Sequence, residues 1–283
     1  MNGVETLTAG GIRWRRYGAG GDSFGSPPLV VLHGLFGSGD NWQSQARALS
    51  EETNSGKRAV PRAVLVPDLP NHGDSFHTDT FTYPELASLL WRVLPEVLPA
   101  GSVEILGHSM GGKIAMAMAL EQPANVSRLV VVDIAPRKYE PRHQTILEAM
   151  QAVAHASPRS RSEAERVLAR SIPEKPVRLF LLKSLVPDET KADGRYRWQL
   201  NLDGIIGCYD SIRDWPYEPG ARRYDGPVLF IKGALSPYIS DTTDDRIGPF
   251  FPSAVVRAIE NAGHWVHAEQ RDTFLDVVRD DNL

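Results

Sequence analysis

Cysteine is nearly absent: Cys208 is the only one in 283 residues. That excludes an intrachain disulfide and any CxxC-type zinc or redox site, and it fits a reducing compartment. Long apolar runs are missing as well; no stretch approaches the ~20 residues of a transmembrane helix. Residues 1–10 lack the basic start and apolar stretch of a signal peptide. A soluble intracellular protein is therefore expected, cytoplasmic first, or from an organelle if a transit peptide was removed. Positive charge is not in surplus either. Lys and Arg number 31 against 35 Asp and Glu, a net charge of −4, which argues against a nucleic-acid surface or a basic membrane patch. There is no internal repeat and no low-complexity tract. What remains is 42% hydrophobic and 23% charged, the make-up of an ordinary globular protein with room for one large domain or a domain carrying an insertion. The oligomeric state is left open.

Short apolar runs recur at residues 29–32, 63–66, 129–132 and 228–231, a strand-like run lies at 103–106, and a last strand is expected at 255–259. Continuous apolar runs of this length suit strands buried on both faces of a mostly parallel sheet. Helical segments separate them. One starts near Asp40-Asn41-Trp42. Another opens at Thr82-Tyr83-Pro84-Glu85, a capping box with proline in its first turn, and runs to about Leu98. A third follows Ser109 and is closed off by Pro123, and a fourth spans 269–278. The alternation predicts an α/β protein with a doubly wound sheet. Residues 4–8 and 12–17 read as a strand pair about Gly10-Gly11, with Ile12, Trp14 and Tyr17 on one face and Arg13 and Arg15 on the other. Residues 18–28 and 51–57 read as loops. Between 137 and 222 the alternation stops, and helices are expected over 144–156, 162–171 and 176–185. We divide the chain into a core of 1–136 and 223–283 with a helical insertion, 137–222, over the sheet.

Gly107-His108-Ser109-Met110-Gly111 has the form Gly-x-Ser-x-Gly between a short strand-like run and a helix-forming run. In a strand–turn–helix of this kind the serine is strained outward and small residues are needed where strand and helix crowd together. A serine hydroxyl is a weak nucleophile near neutral pH. It needs a base to take its proton and N–H donors for the oxyanion that forms, and the base should be a histidine held by a carboxylate. In wound sheets such groups gather at the C-terminal ends of strands. His264 follows the last strand and is the candidate base. His267, one helix turn on, reads as structural, and no metal site is expected from the pair. Asp133 ends the 129–132 strand; Asp241 lies further on, in the loop after 228–231. Asp133 is preferred as the acid and Asp241 is the alternative. The amides of Leu35 and Met110 are the candidate oxyanion donors, since the glycines of His33-Gly34-Leu35-Phe36-Gly37 let that backbone bend into the crevice. Phe36, Trp42 and Trp265, beside these segments, are candidate pocket residues. Tyr139, Trp198, Tyr209 and Trp215 could close over the site from the insertion. His33 reads as a buried hydrogen-bonding residue, His108 as aimed away from the site, and Asp68 and His72 as turn formers.

Together these residues resemble the α/β-hydrolase superfamily over nearly the whole chain, and Ser109, Asp133 and His264 follow its nucleophile, acid, histidine order. The usual acid position in that fold falls at Ser236, whose hydroxyl cannot stabilise an imidazolium as a carboxylate does. The segments 33–38, 40–42, 68–73 and 132–136 are similar to those of the YbfF-type esterases and their eukaryotic abhydrolase relatives. That resemblance implies a helical cap, an acid after the earlier strand, as at Asp133, and activity on short acyl esters, with acyl-CoA thioesters for some members. Pro70 departs from the basic residue expected there in many relatives. The expected function is a serine esterase or thioesterase that works through an acyl-enzyme on Ser109, with a small acyl ester or thioester as its partner and no cofactor. The alternatives are a small-ligand receptor on the same fold with slow hydrolysis, or a carbon–carbon bond hydrolase or lyase using the same serine.

Overall fold

The computed structural model describes residues 4–18, 27–51, 62–98, 101–191, 193–240 and 245–280. The loop readings over 19–26 and 52–57, and Asp241, lie outside the described residues. The chain opens with β1 (Glu5–Ala9) and β2 (Ile12–Tyr17), then β3 (Leu29–Leu32), α1 (Gln43–Ser50) and β4 (Val64–Pro67). Next come α2 (Tyr83–Val97), β5 (Val103–His108), α3 (Met110–Glu121) and β6 (Val126–Val132). After the insertion, which carries two short strands of its own, the chain returns with β9 (Val228–Gly233) and β10 (Ala254–Ile259) and ends with two further helices. The eight strands form one sheet in the order β1-β2-β4-β3-β5-β6-β9-β10. The β1/β2 and β2/β4 pairs are antiparallel and all the others parallel.

The apolar runs work as expected for a sheet covered on both faces. Side chains alternate across a strand, and here successive residues enter two separate cores. Val30, Leu65, Ile105, Val131 and Phe230 pack on the face covered by α2 and α3. Val31, Val66, Leu106, Val130 and Ile231 pack on the other face with Trp42, Leu49, Phe274 and Val278. Helix α3 is buried from Met110 to Leu120, as a helix apolar all round must be. At α2 the N-cap half of the expected capping box forms: the Thr82 hydroxyl accepts from the Glu85 amide, while the Glu85 carboxylate accepts from that hydroxyl and not from the Thr82 amide. One expectation fails on parity. Tyr17 does not share a face with Ile12 and Trp14; it lies an odd number of residues from both and enters the opposite core.

Between β6 and β9 lie α4 (Gln144–Ala156), α5 (Arg161–Leu168), α6 (Lys175–Leu181), α7 (Leu202–Gly207) and α8 (Tyr209–Arg213). The first agrees with its expected span. The second stops three residues early. The third gives way at Leu182 to a 3-10 turn and then to β7 (Leu185–Pro187), which pairs antiparallel with β8 (Tyr196–Trp198). The closing helical region is broken at Gln270 into α9 (Val266–Glu269) and α10 (Arg271–Arg279). No helix among the described residues is long and apolar enough to cross a membrane.

Candidate active site

The ends of β3, β5 and β6 meet at the site, and the residue after β5, the residue after β6 and Phe36 in the loop after β3 all have left-handed backbone: Phe36 at φ 64°, Ser109 at φ 54° and Asp133 at φ 53°. Such geometry in a non-glycine residue costs on the order of 1–3 kcal/mol and persists only where the surroundings enforce it. At Ser109 the enforcement is crowding. A Cβ on Gly107 would strike the Gly111 carbonyl, and one on Gly111 would strike the carbonyls of Leu32 and His33. The sequence therefore turns sharply from β5 into α3 and holds the Ser109 side chain at the rim.

His264 Nε2 lies 3.0 Å from Ser109 Oγ, and His264 Nδ1 lies 2.7 Å from Asp133 Oδ2. Because Asp133 accepts at Nδ1, the ring presents an unprotonated Nε2 to the serine hydroxyl. Asp133 is fully buried. Its carboxylate also accepts the Gly233 amide at 3.0 Å on Oδ1 and the Ser236 hydroxyl on Oδ2. Ser236 thus stands at the end of β9 as a donor to a carboxylate that reaches across from β6.

His264 is fixed from several sides. The Tyr238 ring stacks on it at 4.1 Å and 20°. Glu269 accepts the amides of Gly263 and Trp265, at 2.6 and 3.2 Å. His108 Nε2 donates to the His264 carbonyl at 2.9 Å, so His108 is not aimed away from the site as expected; its ring underlies His264 at 4.7 Å. Beneath both, His267 stacks on Trp42 at 4.2 Å.

The loop after β3 is laced to the loop after β4 by two neutral histidines. His33 donates from Nδ1 to the Gly34 carbonyl and accepts the Leu69 amide at Nε2, both at 2.9 Å. His72 donates from Nδ1 to the Pro70 carbonyl at 2.9 Å and accepts the Phe36 amide at 3.2 Å. Asp68 accepts the Gly39 amide and an Arg15 N–H, each at 2.8 Å. Asp68 and His72 are therefore more than turn formers: they set the path of the Leu35 backbone. Among the described residues neither the Leu35 nor the Met110 amide has an acceptor, and both residues line the space beside Ser109.

Burial holds the neighbouring histidines neutral. It pushes His72 and His267 down to about 3, His143 down to about 4, and His33 and His108 below their ordinary value. In the unfolded chain each would titrate near ~6.5, so as pH falls below that the unfolded state takes up more protons than the folded one. The stability they carry is complete above ~6.5 and is lost on acidification toward the folded values. The melting temperature should fall steeply between pH 6.5 and 4, and His72→Gln should make that fall shallower; thermal melts across this range check it.

Of the expected pocket residues, Phe36, Trp42 and Trp265 all border a cavity of about 250 Å³ in front of Ser109. Tyr139 and Tyr209 border a smaller space behind it. Trp198 and Trp215 do not border either: the Trp198 indole is bonded to the Met150 carbonyl, and Trp215 packs on Tyr83 and Phe250. Sequence reading missed Arg142, His143, Val177 and Phe180 of the insertion, Tyr238 after β9, and Lys113. No local pattern marks the first five. Lys113 had a signal, a lysine inside an otherwise apolar helix. Burial lowers it to about 7, and its ammonium donates to the carbonyls of Arg213 and Asp214 at 2.9 and 2.7 Å.

Residues 27–270 match the family model described as alpha/beta hydrolase fold. The sn-1-specific diacylglycerol lipase ABHD11 of Xenopus laevis is 41% identical over 260 residues, 89% of this chain and 78% of that protein. Esterase YbfF of Escherichia coli K12 is 35% identical over 256 residues, covering 89% and 91% of the two. Among solved structures, one titled marine microorganism esterase superposes with a TM-score of 0.82 at 36% identity, covering 98% of each chain. With its wound sheet, its strained serine turn and these matches, the chain belongs to the α/β-hydrolase family.

Proposed function

We propose that this protein is an esterase, and more specifically a serine hydrolase that cleaves carboxylic esters and acyl thioesters through an acyl-enzyme on Ser109. The observation that carries the reading is the relay of 3.0 and 2.7 Å from Ser109 through His264 to a buried Asp133, beside two amides that have no acceptor among the described residues. The relatives named as esterase and lipase support the ester as substrate. In this reading Ser109 Oγ attacks the acyl carbon as His264 Nε2 takes its proton, and the carbonyl π pair moves onto oxygen. The Leu35 and Met110 N–H groups hold that oxyanion. The imidazolium, steadied by Asp133, gives its proton to the leaving oxygen or sulfur as the acyl–heteroatom bond breaks. Water then repeats the steps on the acyl-enzyme and releases the acid. Residues 137–222 act as a cap that excludes water and shapes the substrate site.

Assays of p-nitrophenyl acetate hydrolysis and of thiol release from acetyl-CoA test this, each before and after treatment with a fluorophosphonate. Turnover of both, abolished as the label reaches one per chain on Ser109, is the expected result. Full turnover by a completely labelled protein would overturn the reading, and hydrolysis of the ester alone would remove its thioester half.

A further inference from the structure

Two chambers of unequal size meet at Ser109. The inner one measures about 40 Å³ and is walled by Lys113, Ile134, Tyr139, Tyr209 and Ile212. The outer one measures about 250 Å³. It shares Val177, Phe180 and Trp265 with a surface groove of about 770 Å³ on which Leu179 is half exposed. His264 borders the outer chamber and not the inner one, whereas Leu35 and Ser109 border both.

That asymmetry orients the substrate, given the hydrolase reading on which this inference rests. In the tetrahedral intermediate the former carbonyl carbon carries the Ser109 oxygen, the oxyanion, the acyl chain and the leaving heteroatom. The oxyanion points to the Leu35 and Met110 amides. The leaving heteroatom must take its proton from His264, so it lies on the side that His264 borders. The acyl chain is left with the other side. We infer that the inner chamber is the acyl site and that the outer chamber and its groove hold the leaving group, so that the preferred substrate joins a short acyl group to a long apolar alcohol or thiol.

The walls fit these roles. The inner space has room for roughly three water molecules, enough for an acyl group of about two to four carbons. It does not yield easily, because Lys113 is tied to two carbonyls and the Tyr139 hydroxyl donates to the Tyr238 carbonyl at 2.8 Å. A longer acyl chain would have to unseat a buried amine. The outer path runs along Val177, Leu179 and Phe180 of α6 and Trp265, with Glu174, Lys183 and Glu269 also bordering the groove, which opens to solvent.

Decyl acetate and ethyl decanoate are isomers of near-equal hydrophobicity with the long chain on opposite sides of the ester bond. Below their aggregation limits, decyl acetate should show a kcat/KM higher by about tenfold or more, since even one badly placed methylene costs that much in a closed pocket. Ile212→Ala, which opens the inner chamber, should narrow the gap by raising the rate on ethyl decanoate. Equal rates, or a preference for ethyl decanoate, would overturn the assignment, as would an Ile212→Ala variant whose ratio does not move. Failure of the hydrolase reading looks different: neither isomer nor p-nitrophenyl acetate is turned over, and Ser109 takes no fluorophosphonate.

Discussion

Replacing Ser109 with alanine is expected to lower kcat on p-nitrophenyl acetate by on the order of 10⁵-fold or more, with little change in melting temperature. The size follows from the chemistry. Without the hydroxyl there is no acyl-enzyme, and what remains is water attack assisted by the oxyanion donors and by binding alone. The fold is spared because the turn does not depend on the hydroxyl. Its shape comes from the crowding of Gly107 and Gly111 against neighbouring carbonyls and from the Ser109 amide, which donates to the Val132 carbonyl at 3.0 Å. The hydroxyl itself bonds only to His264 among the described residues. Steady-state kinetics beside circular dichroism and thermal melts separate lost chemistry from lost structure, and a mutant with wild-type turnover would refute the assignment of the nucleophile.

Asp133→Asn should cost about 10⁴-fold in kcat near neutral pH. An amide in that place can turn its NH₂ toward His264 Nδ1. The ring then carries its proton on Nε2 and has no lone pair for the serine. The Gly233 amide, which now donates to Oδ1, would hold the asparagine carbonyl on that side, and the Ser236 hydroxyl, now a donor to Oδ2, would turn to accept from the NH₂. Ser236→Ala removes one donor and leaves the charge, so its cost should stay near 1.5–3 kcal/mol, about ten- to a hundredfold. Asp241→Asn should leave kcat unchanged. The ranking of the three variants tests the acid directly: an Asp241 variant as damaged as the Asp133 variant would move the acid to the later loop.

The parts of this molecule that were legible in the sequence are those with a local physical signature. Strand segments buried on both faces must be largely apolar, so 29–32 in β3, 64–66 in β4, 129–132 in β6 and 228–231 in β9 showed as runs. The sharp turn at Ser109 needs small residues at fixed offsets, so it showed as a motif. Helix α4 is long enough for its period to register. The three-residue strands β7 and β8 and the short helices α7 and α8 are too brief for any period, and packing against the rest of the insertion decides them. Tyr17 was misplaced because its parity was not followed along β2. The roles of His72 and His108 depend on loops that meet only in space, with His72 holding the Phe36 amide and His108 the His264 carbonyl. Arg142, His143 and Tyr238 reach the cavity from segments with no motif of their own.

The central claim is a covalent one, and rapid-quench peptide mass spectrometry measures it. The protein is mixed with p-nitrophenyl acetate, quenched within milliseconds and digested. The account predicts an acetyl group on the Ser109 peptide that forms with the first release of p-nitrophenol and decays no more slowly than turnover. Sustained turnover with that peptide unmodified at every time point, or with the acetyl group on another residue, would contradict it.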